Sequence, residues 1–182
     1  MLTQRPPLPN PEISMRNGHP ALRLAATLTA SLTASLSVHG ADLPRAPYLP
    51  LATAQALANA ALERCAADGY AVSAAVVDAA GVTRALLRAD HAGPHTLESS
   101  RRKAFTSASL GRPTAELAEL IKRMPEVAGL RDMHPSILIL GGGLPLRVGG
   151  ERLGGIGVGG APGGDLDQAC AQAAIAQVLG PP

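Results

Sequence analysis

Between residues 137 and 179 the chain carries a pattern that leaves few folds open: an apolar run, a glycine pair, a glycine-studded run, a glycine loop and an alanine-rich close. Leu144, Leu146 and Val148 alternate with Pro145 and Arg147, the period of a half-buried strand. Gly149 and Gly150 then supply the positive φ that a two-residue hairpin turn requires. Residues 152–158 read as the return strand. Its glycines at 154, 155 and 157 leave room for a close approach by a helix, another backbone or a flat ligand, and helix packing is the commoner use. Asp165 opens a last helix, with Gln168 completing a capping-box-like pair and Asp167 suiting the positive end of the helix dipole. Gly180 and the two terminal prolines stop it.

The segment from Gly155 to Gly160 also matches G-x-G-x-x-G, the fingerprint of a dinucleotide site. That site needs a second parallel strand and an acidic residue about twenty positions further on. The sequence ends too soon for either, and a hairpin precedes the motif. The dinucleotide reading is therefore set aside.

Upstream, residues 51–67 read as a helix, with Ala54, Leu57, Ala58, Ala61, Leu62 and Cys65 on one face. Residues 71–77 and 82–88 read as a hairpin joined by a turn that begins at Asp78 and ends at Gly81. A polar loop holding His91 and His95 follows. Thr96 is a candidate N-cap for a helix that runs to about residue 109 and carries Arg101, Arg102 and Lys103 on consecutive positions. Pro113 breaks that helix, a shorter one begins at Thr114, and residues 125–135 form a loop with His134. Hairpins separated by helices point to an α+β domain: one antiparallel sheet with helices packed on it.

Charge excludes one broad class of partner. Of sixteen Lys and Arg, three precede residue 42, and of fourteen acidic residues one does, so residues 42–182 carry thirteen of each. With one Phe, two Tyr and no Trp, nothing resembles a basic, aromatic-lined nucleic-acid surface. The small-residue core would gain buried area by homo-oligomer formation. Residues 1–41 read as a leader: Met15 is a candidate start, Arg16 and Arg23 flank a positive region, 24–38 is apolar, and Val38 and Gly40 suit signal-peptidase cleavage. The apolar run is short for a membrane span, so the expectation is a periplasmic or secreted protein with no membrane contact after cleavage. Residues 42–50 read as a linker and 51–180 as the domain. Cys65 and Cys170 lie on apolar helix faces. Export would permit a disulfide, buried free thiols are the commoner state at such positions, and the sequence leaves the choice open.

Several short motifs together resemble the GlcG/HbpS family of haem-binding proteins, which is related to the C-terminal domain of PduO-type corrinoid adenosyltransferases. They are D-x-x-G at Asp78–Gly81, R-K-A at Arg102–Ala104, Arg112-Pro113-Thr114, G-G-x-P at Gly142–Pro145, G-I-G-V-x-G-A from Gly155, and D-x-x-C-A closing at Ala171. The resemblance spans about residues 51–178. It implies an antiparallel sheet of about five strands flanked by helices, like a profilin or PAS shell, dimers to octamers, haem or a related tetrapyrrole as cofactor, and for some members haem degradation or iron handling. It carries no axial ligand over to this chain.

From the residues themselves, haem iron calls for His, Met, Cys or Tyr. Past the leader the histidines are His91, His95 and His134. His95 is the first candidate for the metal, because the helix start fixes its backbone. His91 is the second, and both have the alternative of being ordinary loop residues. Arg101, Arg102 and Lys103 are candidates for haem propionates, with a solvated, Glu98-paired helix face as the alternative. No catalytic residues are evident. The expected function is haem sensing, storage or scavenging. The alternatives are a haem-degrading or accessory enzyme of small-molecule oxidation, or an oligomeric regulatory module without cofactor.

Overall fold

The computed structural model describes residues 46–180. Residues 1–41, read from the sequence as a leader with a candidate start at Met15 and a cleavage site, lie outside the described residues. The domain opens on α1 (Leu51–Ala67), followed by β1 (Ser73–Asp78), β2 (Thr83–Arg88), α2 (His95–Leu110) and α3 (Thr114–Arg123). A 3-10 turn over Pro125–Arg131 leads to β3 (Gly143–Val148), β4 (Glu151–Gly159) and α4 (Gly164–Leu179). Packing begins earlier than residue 51: Leu49, inside the stretch read as a linker, is buried in the core.

The sheet is antiparallel in every pairing, in the order β2-β1-β4-β3. Four strands form it among the described residues, where the resemblance implied about five. The apolar run at 137–140 forms no ladder. Ile137 and Ile139 instead pack with Leu117 and Ile121 of α3, and burial against a helix satisfies them without a strand.

Central strand β1 shows why both faces of the sheet are covered. Ala74 and Val76 point to a core shared with α1 and α4, while Ala75 and Val77 meet Ala104 and Ala108 of α2. Strand β4 divides in the same way. Ile156 and Val158 enter the α1/α4 core, and Gly155, Gly157 and Gly159 turn to α2. A Cβ on Gly157 would fall against the Ser100 carbonyl and the Ala104 amide, and one on Gly155 against the Ala104 carbonyl. The glycine stripe therefore serves close helix packing, and α2 rests its backbone almost directly on the strand. Gly157→Ala is expected to cost about 1–3 kcal/mol by overpacking, read as a lowered urea midpoint, because the obstacle is backbone and not a movable side chain.

Both hairpins form as their turns require. Gly149 and Gly150 have φ of 58° and 84°, the left-handed pair of a tight turn. Asp78 accepts hydrogen bonds from the Ala80 and Val82 amides, each at 3.0 Å, which locks the first turn.

Cys65 of α1 and Cys170 of α4 are joined by a disulfide with Cα atoms 5.5 Å apart. The free-thiol state is thus replaced by a covalent tie between the two helices that cover one face of the sheet.

Candidate functional site

Helix α2 lies along the glycine face of the sheet, and its first two turns form one wall of a cleft of about 290 Å³. His95, Ser99 and Lys103, spaced four apart on one helix face, line that wall. Leu140 and the loop from Gly160 to Gly164 line the opposite side, with Asp167 below them. The volume lies close to the lower end of the range for small-molecule sites, about 300–1,000 Å³. His95 is exposed at the lip, its ring folded over Gly93 so closely that a Cβ there would lie 2.6 Å from Cε1.

The floor of the cleft is a buried ion pair. Lys103 is 1% exposed and Asp167 3% exposed. Lys103 Nζ donates to Asp167 Oδ2 at 2.7 Å and to the Val158 carbonyl at 2.9 Å. Asp167 Oδ1 accepts the Ala161 amide at 3.0 Å, and the Gly160 amide also supports the carboxylate. Burial pushes the Asp167 carboxyl above its ordinary value, and the Lys103 ammonium and these two amides pull it back. The pair therefore ties β4, through the Val158 carbonyl, and the glycine loop and α4, through the carboxylate, to α2.

The three consecutive cations of α2 all have internal work. Arg101 makes a two-pronged bond to Glu98, at 3.0 and 2.7 Å, and reaches Ser136 Oγ at 3.3 Å. That contact holds the Glu98 carboxyl below its usual value. Arg102 donates to the Ile137 carbonyl, while Thr106, one turn further on, accepts the Leu138 amide at 2.8 Å. Arg101 and Arg102 thus hold the 136–138 segment on α2, and Lys103 holds the far loop. They splay around the helix as their spacing dictates.

Thr96 is not the N-cap. Pro94 occupies that position, and the Thr96 hydroxyl, buried in the first turn, donates to the Gly93 carbonyl at 2.6 Å and pairs with Ser73 Oγ at 2.7 Å. Asp165 makes no capping hydrogen bond on α4 either, whose N-cap is Gly163. His91 is exposed with a left-handed φ of 67° and does not line the cleft. His134 stacks on Phe105 with ring centroids 5.0 Å apart, and its Nδ1 accepts the Ser136 amide at 3.0 Å. A larger hollow of about 660 Å³ lies between β3 and α4, lined by Leu144, Val148, Ile175 and Leu179 among others. Its walls hold no His, Met, Cys or Tyr, and so no usual axial ligand.

Residues 49–176 match the family model described as haem degrading protein HbpS-like. The chain belongs to the HbpS-like family. A double mutant of HbpS from Streptomyces reticuli superposes with a TM-score of 0.71 at 43% identity, covering 80% of this chain and 97% of that one. A PduOC:heme complex matches with a TM-score of 0.66 at 28% identity, over 71% of this chain and 94% of that chain. A 15.0 kDa protein encoded between dhaT and dhaS in Citrobacter freundii is 31% identical over 121 residues, covering 66% of this chain and 83% of its own length.

Within this HbpS-like domain, the site divides the residues singled out from sequence. His95 and Lys103 come together in one cleft; His91 stays outside it; Arg101 and Arg102 brace a neighbouring loop. Sequence reasoning put Asp167 in the first turn of the last helix, where it lies, and missed that its carboxylate is paired with Lys103 under the cleft. A signal was present. Lys103 falls at the i+3 and i+7 positions from Ser100 and Thr96, in the buried stripe of α2, where an uncompensated cation is not tolerated.

Proposed function

We propose that this HbpS-like domain is an exported haem-binding protein, with His95 as the axial ligand. The observation that carries the reading is the placement of His95: an imidazole at the lip of a cleft, held at the first turn of a sixteen-residue helix. Its solved relatives include the PduOC:heme complex, which supports a tetrapyrrole as the ligand class. The fit is partial. His95 suits iron, and His91 stands four positions before it as a second imidazole on the same loop. Arg101 and Arg102, half-buried on α2, are the charges near propionates, whereas the Lys103 ammonium is sealed in the floor and serves the cleft through Asp167. Bound haem would supply an iron centre for ligand sensing or iron storage, and the protein's own part is to present the imidazole and exclude water with Leu140 and the glycine loop. Three roles remain within this reading: sensing, storage or scavenging.

One further observation supports export: the disulfide belongs to an oxidising compartment. No described helix is long and apolar enough to cross a membrane. Assembly into a homo-oligomer, from dimer to octamer, is part of the proposal.

Haemin titrated into the leaderless protein should give a shifted, saturable Soret band. His95→Ala should weaken binding at least tenfold and change the ligation bands, while His91→Ala leaves them nearly unaltered. An unshifted Soret band at stoichiometric haemin rejects the reading. The family description names haem degradation, which favours a second reading. In that case the loaded protein given a reductant loses its Soret band and releases iron over repeated turnovers; the binding reading expects the band to persist.

A further inference from the structure

We infer that Lys103 and Asp167 are a positioning pair that sets the opening of the His95 cleft, so that ligand affinity depends on two residues at its floor. The inference rests on the haem reading for its ligand and on the floor geometry for its mechanism. Three observations carry it. First, the cleft has two walls from distant parts of the chain, α2 on one side and the Gly160–Gly164 loop on the other. Second, that loop is glycine-rich, with Gly160 at a φ of 132°, so hydrogen bonds to its amides add to the stiffness that Pro162 and the packing of Gly164 on Gly141 supply. Third, Asp167 supplies those bonds through Oδ1 and is itself fixed to α2 through Oδ2 and the Lys103 ammonium. The chain of contacts runs from α2 through Nζ and the carboxylate to the Ala161 amide, and so from one wall to the other. Gly142 completes the seal, since a Cβ there would meet Asp167 Cβ at 2.7 Å and Lys103 Nζ at 3.0 Å. His95 and Lys103 are two turns apart on the same face of α2. Cutting the pair therefore leaves the imidazole where it is and frees the wall opposite it. A flat ligand held between the two would lose its fixed tilt.

The test uses a double variant, Lys103→Met with Asp167→Leu, which replaces the pair by apolar groups of similar volume and so preserves the fold while removing the tie. Amide exchange of Ala161 is measured first, without ligand. In the native protein it should be protected, and in the double variant its exchange should quicken by tenfold or more while amides of β1 keep their protection. Haemin titration follows. The double variant should bind at least tenfold more weakly and show a mixture of spin states at saturation, where the native protein shows one. Unchanged Ala161 exchange overturns the inference. So does faster exchange with unchanged haemin affinity and spectrum, because the pair would then only fill space. Should the native protein not bind haemin at all, the haem reading fails separately, and the exchange result alone decides whether the pair holds the wall.

Discussion

Reducing the Cys65–Cys170 disulfide is expected to remove about 4–5 kcal/mol of stability. The bond closes a loop of 105 residues. In the chain-entropy account, a loop of about 100 residues constrains the unfolded ensemble by about 4.7 kcal/mol. Little native strain is available to offset that gain, because the Cα separation of 5.5 Å lies at the usual value for such bonds. Both sulfurs sit in the core between α1 and α4, with Cys65 fully buried and Cys170 1% exposed. Reduction therefore leaves two small apolar side chains in place, and the loss falls mainly on the unfolded state. Denaturant melts with and without a strong reductant, in the protein lacking residues 1–41, read this out. The midpoint should fall by several tenths of the native value, and the melting temperature by about 10 °C or more. Cys170→Ala should match the reduced protein to within the small cavity cost. A reduced protein within about 1 kcal/mol of the oxidised one would show that α1 and α4 are held by packing and that the bond adds nothing. The same experiment bears on export, since a domain that leans this heavily on one disulfide is poorly suited to a reducing compartment.

The helices and hairpins of this domain were legible because each carries its own local signal. Helix α1 has its apolar residues at three- and four-residue spacings, and residues 51–67 are helical as read. The Gly149-Gly150 turn needs no tertiary context to form. Residues 137–140 show the limit. An apolar run fits a strand or a buried coil equally, and what decides is whether a partner strand stands beside it; here α3 does. The glycines of β4 were legible as a close approach, and α2 is what approaches. Its two least legible features, the disulfide and the Lys103–Asp167 pair, join positions 105 and 64 residues apart. Each residue has a satisfactory local explanation, a buried thiol or a helix-end charge, and only the distance between elements overrules it. The cations of α2 illustrate the same point. Their spacing shows that they diverge, but which loops they reach depends on where those loops return.

Breaking the buried pair from one side should cost nearly as much as losing the disulfide, and pH should reveal which side was broken. Removing one partner of a buried ion pair leaves an uncompensated charge, at about 3–5 kcal/mol. In Lys103→Met the orphan is the Asp167 carboxylate, already raised by burial and now without its ammonium. A carboxyl whose folded value lies above its unfolded one favours the fold fully below the unfolded value, and that advantage is lost as pH rises through the folded value. Lys103→Met should therefore approach the native protein in stability in mild acid and fall behind it as pH climbs. Asp167→Leu leaves the ammonium instead, with no carboxyl to protonate, so its deficit should not ease in mild acid. The double variant carries neither charge and should recover most of the loss at every pH, since well-packed apolar replacements of buried pairs are often neutral. Urea melts of the three variants across the pH range separate these cases. If the two single variants share one flat pH profile, the penalty is lost packing and not stranded charge. The floor of the cleft would then be held by side-chain volume, with the ion pair incidental to it.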